Sequence, residues 1–174
     1  MYPYNIWQAG QNGKQNDVEV MANENAVENI NNRADQKIID MLLMAMKNEN
    51  KDKNYYEQLS KKIRDREDSN IVYQIALDEQ KHYKYLAQIY KRLTKQTPSV
   101  QFEQAKLGDN LADEFAISIF DELGAVEFYR RLMFLFLDLQ IRDMFYEIIT
   151  DEQAHATKFN YLYSKYAVKE NENN

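Results

Sequence analysis

Two runs decide how this chain is read: Asp78-Glu79-Gln80-Lys81-His82 and Asp151-Glu152-Gln153-Ala154-His155. Each sets a His three residues after a Glu, and residues i and i+3 share one face of a helix. A shift of 73 residues lays one run on the other without a gap. The same shift puts Glu122 on Glu49, Tyr129 on Tyr56, Leu132 on Leu59, Asp138 on Asp65, Tyr146 on Tyr73 and Tyr163 on Tyr90. In both halves 30 residues separate the lone Glu from the Glu of the run. The chain is an internal repeat, and a fold built from it carries matching side chains on facing elements. Since 15 of the 174 residues are Glu, two independent His would both follow Glu at this spacing in about 0.7% of cases.

Outward from the runs, apolar residues recur in steps of three and four, the period of a helix with one buried face. The first stripe is Ile38, Leu42, Ala45/Met46, Glu49, Asp52, Tyr56, Leu59 and Ile63; the second is Ile71/Val72, Ile75, Glu79, His82, Leu86, Ile89 and Leu93. The third runs Phe115, Ile119, Glu122, Ala125/Val126, Tyr129, Leu132/Met133 and Phe136; the fourth runs Phe145, Ile148, Glu152, His155, Phe159, Leu162 and Tyr166. Asn31 or Asn32 can cap the first helix, Asp68 or Ser69 the second, and a polar break covers Asp138 to Asp143. Residues 94–110, with Pro98 and Gly108, make a connection longer than a helix hairpin needs. Four helices joined by short, long and short connections predict an all-α four-helix bundle with one long crossover, over residues 33–168. An Asn-rich flexible tail is expected over 1–32 and a disordered end over 169–174. Phe128, Phe134, Phe136 and the group Met41, Met44 and Met46 are assigned to the core.

Composition supports long helices. Four Gly and two Pro are about 3% of the chain, against roughly 12% in average proteins, which disfavours turn-rich sandwiches and barrels. The net charge of −6 leaves no Lys/Arg stripe clear of acids, so a nucleic-acid partner is not expected. No apolar run approaches the roughly 18 residues of a membrane span. The start, Met1-Tyr-Pro-Tyr-Asn-Ile-Trp7, lacks the basic and apolar regions of a signal peptide, and a cytoplasmic location is expected. With no Cys, any metal must be held by oxygen and nitrogen.

The repeat brings six ligand-type side chains to one level inside such a bundle: Glu49, Glu79, His82, Glu122, Glu152 and His155. Four carboxylates in a core are prohibitively costly unless neutralised, and two divalent cations match them charge for charge. Oxygen-rich ligation with one imidazole per metal suits iron or manganese. By the symmetry of the repeat Glu79 and Glu152 are expected to bridge the two metals, with Glu49 and Glu122 at the ends. Metal-bound His usually gives its other ring N–H to a carboxylate or carbonyl, and Asp78 and Asp151, beside the bridging Glu, are candidates; surface exposure is the alternative. Tyr56 and Tyr129, seven residues after Glu49 and Glu122, face the site by periodicity, with ordinary core packing as the alternative. Asp52 is open between a seventh carboxylate and a solvated helix residue.

These residues resemble the ferritin-like superfamily, and within it the rubrerythrin-like diiron proteins, in which this pattern of paired Glu and Glu-x-x-His helices is known. The resemblance covers roughly residues 34–166, and the form Glu122, Ala125, Tyr129 is most similar to rubrerythrin. It implies two Fe, or alternatively Mn, at the six residues, and reduction of peroxide or O2 with electrons from an external donor protein. It also implies Tyr56 and Tyr129 hydrogen-bonded to the carboxylates. A homodimer is the candidate assembly, which the sequence itself does not decide. Rubrerythrin carries a Cys-rich rubredoxin module, which a chain without Cys cannot supply. It also has an additional Glu where Ala125 stands. Alternatives in other classes are a ferroxidase handling iron, and a non-catalytic metal-binding surface protein anchored by Tyr2, Tyr4, Ile6 and Trp7.

Overall fold

Asp65 is where the first hairpin turns. Its side chain accepts hydrogen bonds from the backbone N–H groups of Glu67 at 3.0 Å and Asp68 at 3.1 Å, which caps the helix that follows. Its repeat partner Asp138 does the same for the last helix, accepting from the Ile141 N–H at 3.1 Å. The computed structural model describes residues 24–101 and 106–171, with side chains over 35–101 and 106–168. Four helices result: α1 (Glu24–Lys62), α2 (Arg66–Thr94), α3 (Leu111–Met133) and α4 (Leu139–Asn171). α1 packs along α2 and α3 along α4, and the two hairpins meet where α2 lies against α4. This is an all-α, ferritin-like four-helix bundle.

Several boundaries differ from those expected. α1 begins at Glu24, ahead of Asn31 and Asn32, and runs through both, since Asn in a helix interior costs only a fraction of a kcal/mol. The cap of α2 is Asp65 in place of Asp68 or Ser69. Asp68 is instead buried and holds Lys165 at 2.8 Å and the Tyr166 hydroxyl at 3.0 Å. The second break falls at 134–138, so Phe134 follows the end of α3 and is 67% exposed, although Phe136 is buried as assigned. Met46 is buried and Met41 and Phe128 partly so, but Met44 is 45% exposed on the flank of α1. α4 continues to Asn171, past the expected end of the bundle. The expectations for residues 1–23 and 172–174 lie outside the described residues.

The crossover after α2 starts with Lys95 in the left-handed region, at φ 61°. It is tied down before α3 by Gly108, whose N–H donates to Glu114 Oε1 at 2.9 Å while its carbonyl accepts from Lys62 Nζ at 2.6 Å. A Cβ at Gly108 would lie 2.4 Å from that same Glu114 oxygen, so a larger residue there would displace the Glu114 carboxylate. Tyr55 donates its hydroxyl to the other Glu114 oxygen, which pins the end of the crossover to α1.

Two apolar clusters fill the bundle, and the shift of 73 residues relates them. Every member of the smaller one has its counterpart in the larger: Tyr56 and Tyr129, Leu59 and Leu132, Val72 and Phe145, Phe115 and Leu42, Phe159 and Leu86 among them. Each draws on all four helices, so neither hairpin can bury its apolar face alone. The candidate site lies on the same inward faces.

Candidate metal centre

All six side chains singled out in the sequence come together in the bundle interior. Glu49, Glu79, Glu122 and Glu152 are 2–4% exposed and both His are fully buried. They form two quartets, Glu49–Glu79–His82–Glu152 and Glu79–Glu122–Glu152–His155, each offering ligand atoms within 4.8 Å of one another. Glu79 and Glu152 belong to both. One quartet takes its end carboxylate from α1 and its His from α2; the other takes them from α3 and α4.

The His rings are oriented by the facing helix. His82 Nε2 lies 3.2 Å from Asp151 Oδ2, and His155 Nε2 lies 3.2 Å from Asp78 Oδ2. An Asp on Nε2 leaves Nδ1 as the atom presented to the interior. His82 Nδ1 accordingly faces Glu79 at 2.9 Å, Glu152 at 3.2 Å and Glu49 at 3.5 Å. His155 Nδ1 faces Glu79 at 3.1 Å and both Glu122 and Glu152 at 3.5 Å. The tyrosines cross the bundle in the same way. Tyr56 donates to Glu122 Oε1 at 2.5 Å, and Tyr129 donates to Glu49 Oε1. Each end carboxylate is thus held by a hydroxyl from the other half of the repeat.

Electrostatics record the crowding. Burial pushes the Glu49 carboxyl up to about 7, and burial with Glu79 and Glu122 nearby raises Glu152 well above the usual range. Burial would raise Glu79 as well, but the two imidazoles outweigh it and hold it low. Burial alone would lower both His; Asp151 raises His82 and Asp78 raises His155, each together with the surrounding Glu. The Asp carboxyls are held below their ordinary range by those His contacts.

Two buried atoms lack any hydrogen-bond partner among the described residues: Glu79 Oε1 and His155 Nδ1, which face each other at 3.1 Å. A carboxylate oxygen and an imidazole nitrogen left unpaired side by side in a buried site are what a cation would use, the imidazole giving up its proton to bind it. With four carboxylates and two imidazoles as donors and no thiolate, the set fits two oxygen-loving ions such as iron or manganese.

On the α2/α4 side the centre is closed by Lys81, whose ammonium lies 2.7 Å from Asp151, 3.1 Å from Glu147 and 3.7 Å from Asp78. Sequence reasoning passed over Lys81, although it breaks the repeat inside the diagnostic run, where Ala154 is its counterpart. On the α1/α3 side a cavity of about 110 Å³ reaches Glu49, Glu79, Glu122 and Glu152. Its wall includes Asp52, Asp121, Lys51, Met44, Ala125 and Phe128, so Asp52 is half-buried at the cavity. Met44 is exposed because it stands at this opening.

Residues 40–113 match the rubrerythrin family. The match carries Glu49, Glu79 and His82, and the repeat supplies Glu122, Glu152 and His155 beyond it.

This chain is rubrerythrin-like.

A hypothetical protein from Pyrococcus furiosus shares its fold, with a TM-score of 0.65 and 20% identity over 73% of this chain and 88% of that one. No curated protein matches it. Among the described residues no helix of the rubrerythrin-like chain is long and apolar enough to cross a membrane.

Proposed function

We propose that this rubrerythrin-like chain holds two metal ions, iron or manganese, and reduces peroxide or dioxygen with electrons delivered by another protein. The observation that carries the reading is the pair of buried quartets sharing Glu79 and Glu152. Two redox-active metals, if bound there, would supply one electron each, the two needed to cleave the O–O bond of a peroxide; dioxygen would need two further electrons from the external donor.

The chain's own residues do the rest. Glu49 with His82, and Glu122 with His155, hold one position each, while Glu79 and Glu152 tie the two together. Asp151 and Asp78 keep the imidazole Nδ1 atoms turned inward. The Tyr56 and Tyr129 hydroxyls hold Glu122 and Glu49 in place and keep protons at the inner end of the cavity. That cavity suits a substrate of a few atoms, and Phe128, Met44 and Ala125 limit water at its wall. No Cys is present for electron transfer, so the reductant in this reading is external.

The acidic side chains Asp52 and Asp121 on the cavity wall favour a second reading, a ferroxidase that takes in Fe(II). The two are separated by metal analysis of protein made in iron-supplemented medium, followed by peroxide turnover with a chemical reductant. Two metals per chain with sustained turnover supports the reductase. Two metals with iron accumulating in a large assembly supports the ferroxidase, and one metal or none per chain would sink both. A cytoplasmic location, a homodimer, and a flexible tail over 1–23 whose aromatic residues anchor the chain to a surface complete the proposal; residues 24–32, expected to belong to that tail, are part of α1. The tail is tested by deleting residues 1–23.

A further inference from the structure

The shift of 73 residues also lays the two hairpin turns on each other, and there the halves part in chemistry. Ile63 and Phe136 match as buried plugs, and Asp65 and Asp138 match as caps of the helices that follow. The outward positions do not match. The first turn carries Lys61, Lys62, Arg64 and Arg66, all exposed, where the second carries Phe134, Leu135, Leu137 and Leu139. These four apolar side chains are each more than half exposed, Leu137 by 95%. The first hairpin closes the same turn with charged side chains, so the backbone does not require apolar ones in the second. Nor is the second turn loosely held. The Arg142 guanidinium donates to the Met133 and Phe136 carbonyls, each at 3.2 Å, and fixes the backbone that presents them.

Cations surround this patch. The last turn of α2 lies beside it, since Arg92 is paired with Asp138 and donates to Gln140 at 3.2 Å, and Leu93 there adds a further exposed side chain. Residues 91–95 and 127–143 together carry six Lys or Arg against three Asp or Glu, in a chain whose net charge is −6. Lys91, Lys95 and Arg130 are exposed among them. An isologous contact between two copies would set these cations against each other, which opposes it. Apolar side chains at the tip of a turn, ringed by cations, fit a surface that offers hydrocarbon behind negative headgroups.

We propose that this end of the bundle docks on a bilayer containing anionic lipid, with Phe134, Leu135, Leu137 and Leu139 entering the headgroup boundary and Lys91 and Arg130 lying against lipid phosphates. The contact is peripheral and independent of the metal reading. The cavity opens on the flank of the bundle, between α1 and α3, so a chain seated this way leaves it open.

The test is cosedimentation of the full chain with vesicles of phosphatidylcholine, alone or mixed with phosphatidylglycerol. The natural chain should bind the mixed vesicles, less so as salt rises, and should leave pure phosphatidylcholine unbound. Phe134→Gln with Leu137→Gln removes apolar surface without adding charge and should weaken binding at least about tenfold. Leu137→Gln alone, at a side chain outside the core, should weaken it about threefold. Lys91→Gln with Arg130→Gln should weaken it about tenfold and reduce its salt dependence. Lys61→Gln with Arg64→Gln, at the opposite end of the bundle, should leave it unchanged. No binding to the mixed vesicles, or binding that the apolar variants do not weaken, overturns the proposal. So does loss of binding on deleting residues 1–23 while the turn variants still bind, which assigns the lipid contact to the tail. A dimer of the natural chain that Phe134→Gln with Leu137→Gln dissociates assigns the turn to a second copy and overturns it as well.

Discussion

His82 on α2 meets Asp151 on α4 through its Nε2, and the contact leaves its Nδ1 turned toward Glu49, Glu79 and Glu152. Asp151→Asn should therefore weaken the metal beside His82 by about 10–100-fold, and Asp78→Asn the one beside His155, because each amide loses the charge that orients and strengthens the imidazole. Lys81 keeps Glu147 and Asp78 when Asp151 is replaced, so the fold should persist. Chelator competition measures the affinity. A fall in thermal stability with unchanged metal affinity would reduce these contacts to ion pairs.

Sharing of Glu79 and Glu152 between the quartets predicts an asymmetry among the Glu variants. Glu79→Ala or Glu152→Ala should weaken both metals, whereas Glu122→Ala should chiefly disturb the one beside His155 and Glu49→Ala the one beside His82. Metal content after Fe(II) reconstitution checks this. Loss of one metal in every variant would argue against shared carboxylates.

Removing only the hydroxyl of Tyr129 or Tyr56 frees Glu49 or Glu122 from its one tyrosine contact. Tyr129→Phe and Tyr56→Phe should each keep two metals bound and cost about 1–3 kcal/mol, since a buried carboxylate loses its donor. Peroxide turnover should change by more than the metal content does. If turnover and metal content are both untouched, the tyrosines are core residues only.

The metal-free protein should become less stable as pH rises. Glu49 titrates near 7 in the folded chain against 4.5 for an ordinary Glu, and Glu152 is raised as well. The folded state thus binds more protons than the unfolded chain between those values, and stability present below pH 4.5 is lost on the way to pH 7. The raised His groups work in the same direction, their contribution being present below an ordinary His pKa and lost through the higher folded one. Glu79, held low, works oppositely, and only at more acidic pH. Bound metal replaces these protons, so the holo protein should show a flatter profile and metal uptake should release protons. Thermal melts from pH 5 to 8, with and without metal, check the sign.

The helices and the six converging residues were legible in the chain because each depends on short-range geometry. Steps of three and four set the buried face of a helix, and the repeat guarantees that what one hairpin presents the other presents again. Partners across the bundle were not legible in this way. Tyr56 stands seven residues from Glu49, about 10.5 Å along a helix axis, too far for its hydroxyl to return to that Glu, and its carboxylate comes from Glu122 on a helix that only tertiary packing brings level. Asp78 and Asp151 could equally have faced solvent, since a helix position does not say what stands opposite it. Met44 and Phe134 obey an apolar pattern yet are exposed, one beside an opening between α1 and α3 and the other past the end of α3, where helical period no longer applies. The chain by itself determined which side chains point inward; packing of the two hairpins decided which of them touch, which side of the centre Lys81 closes, and which side is left open to Asp52 and the cavity, because those relations join residues that no local period connects.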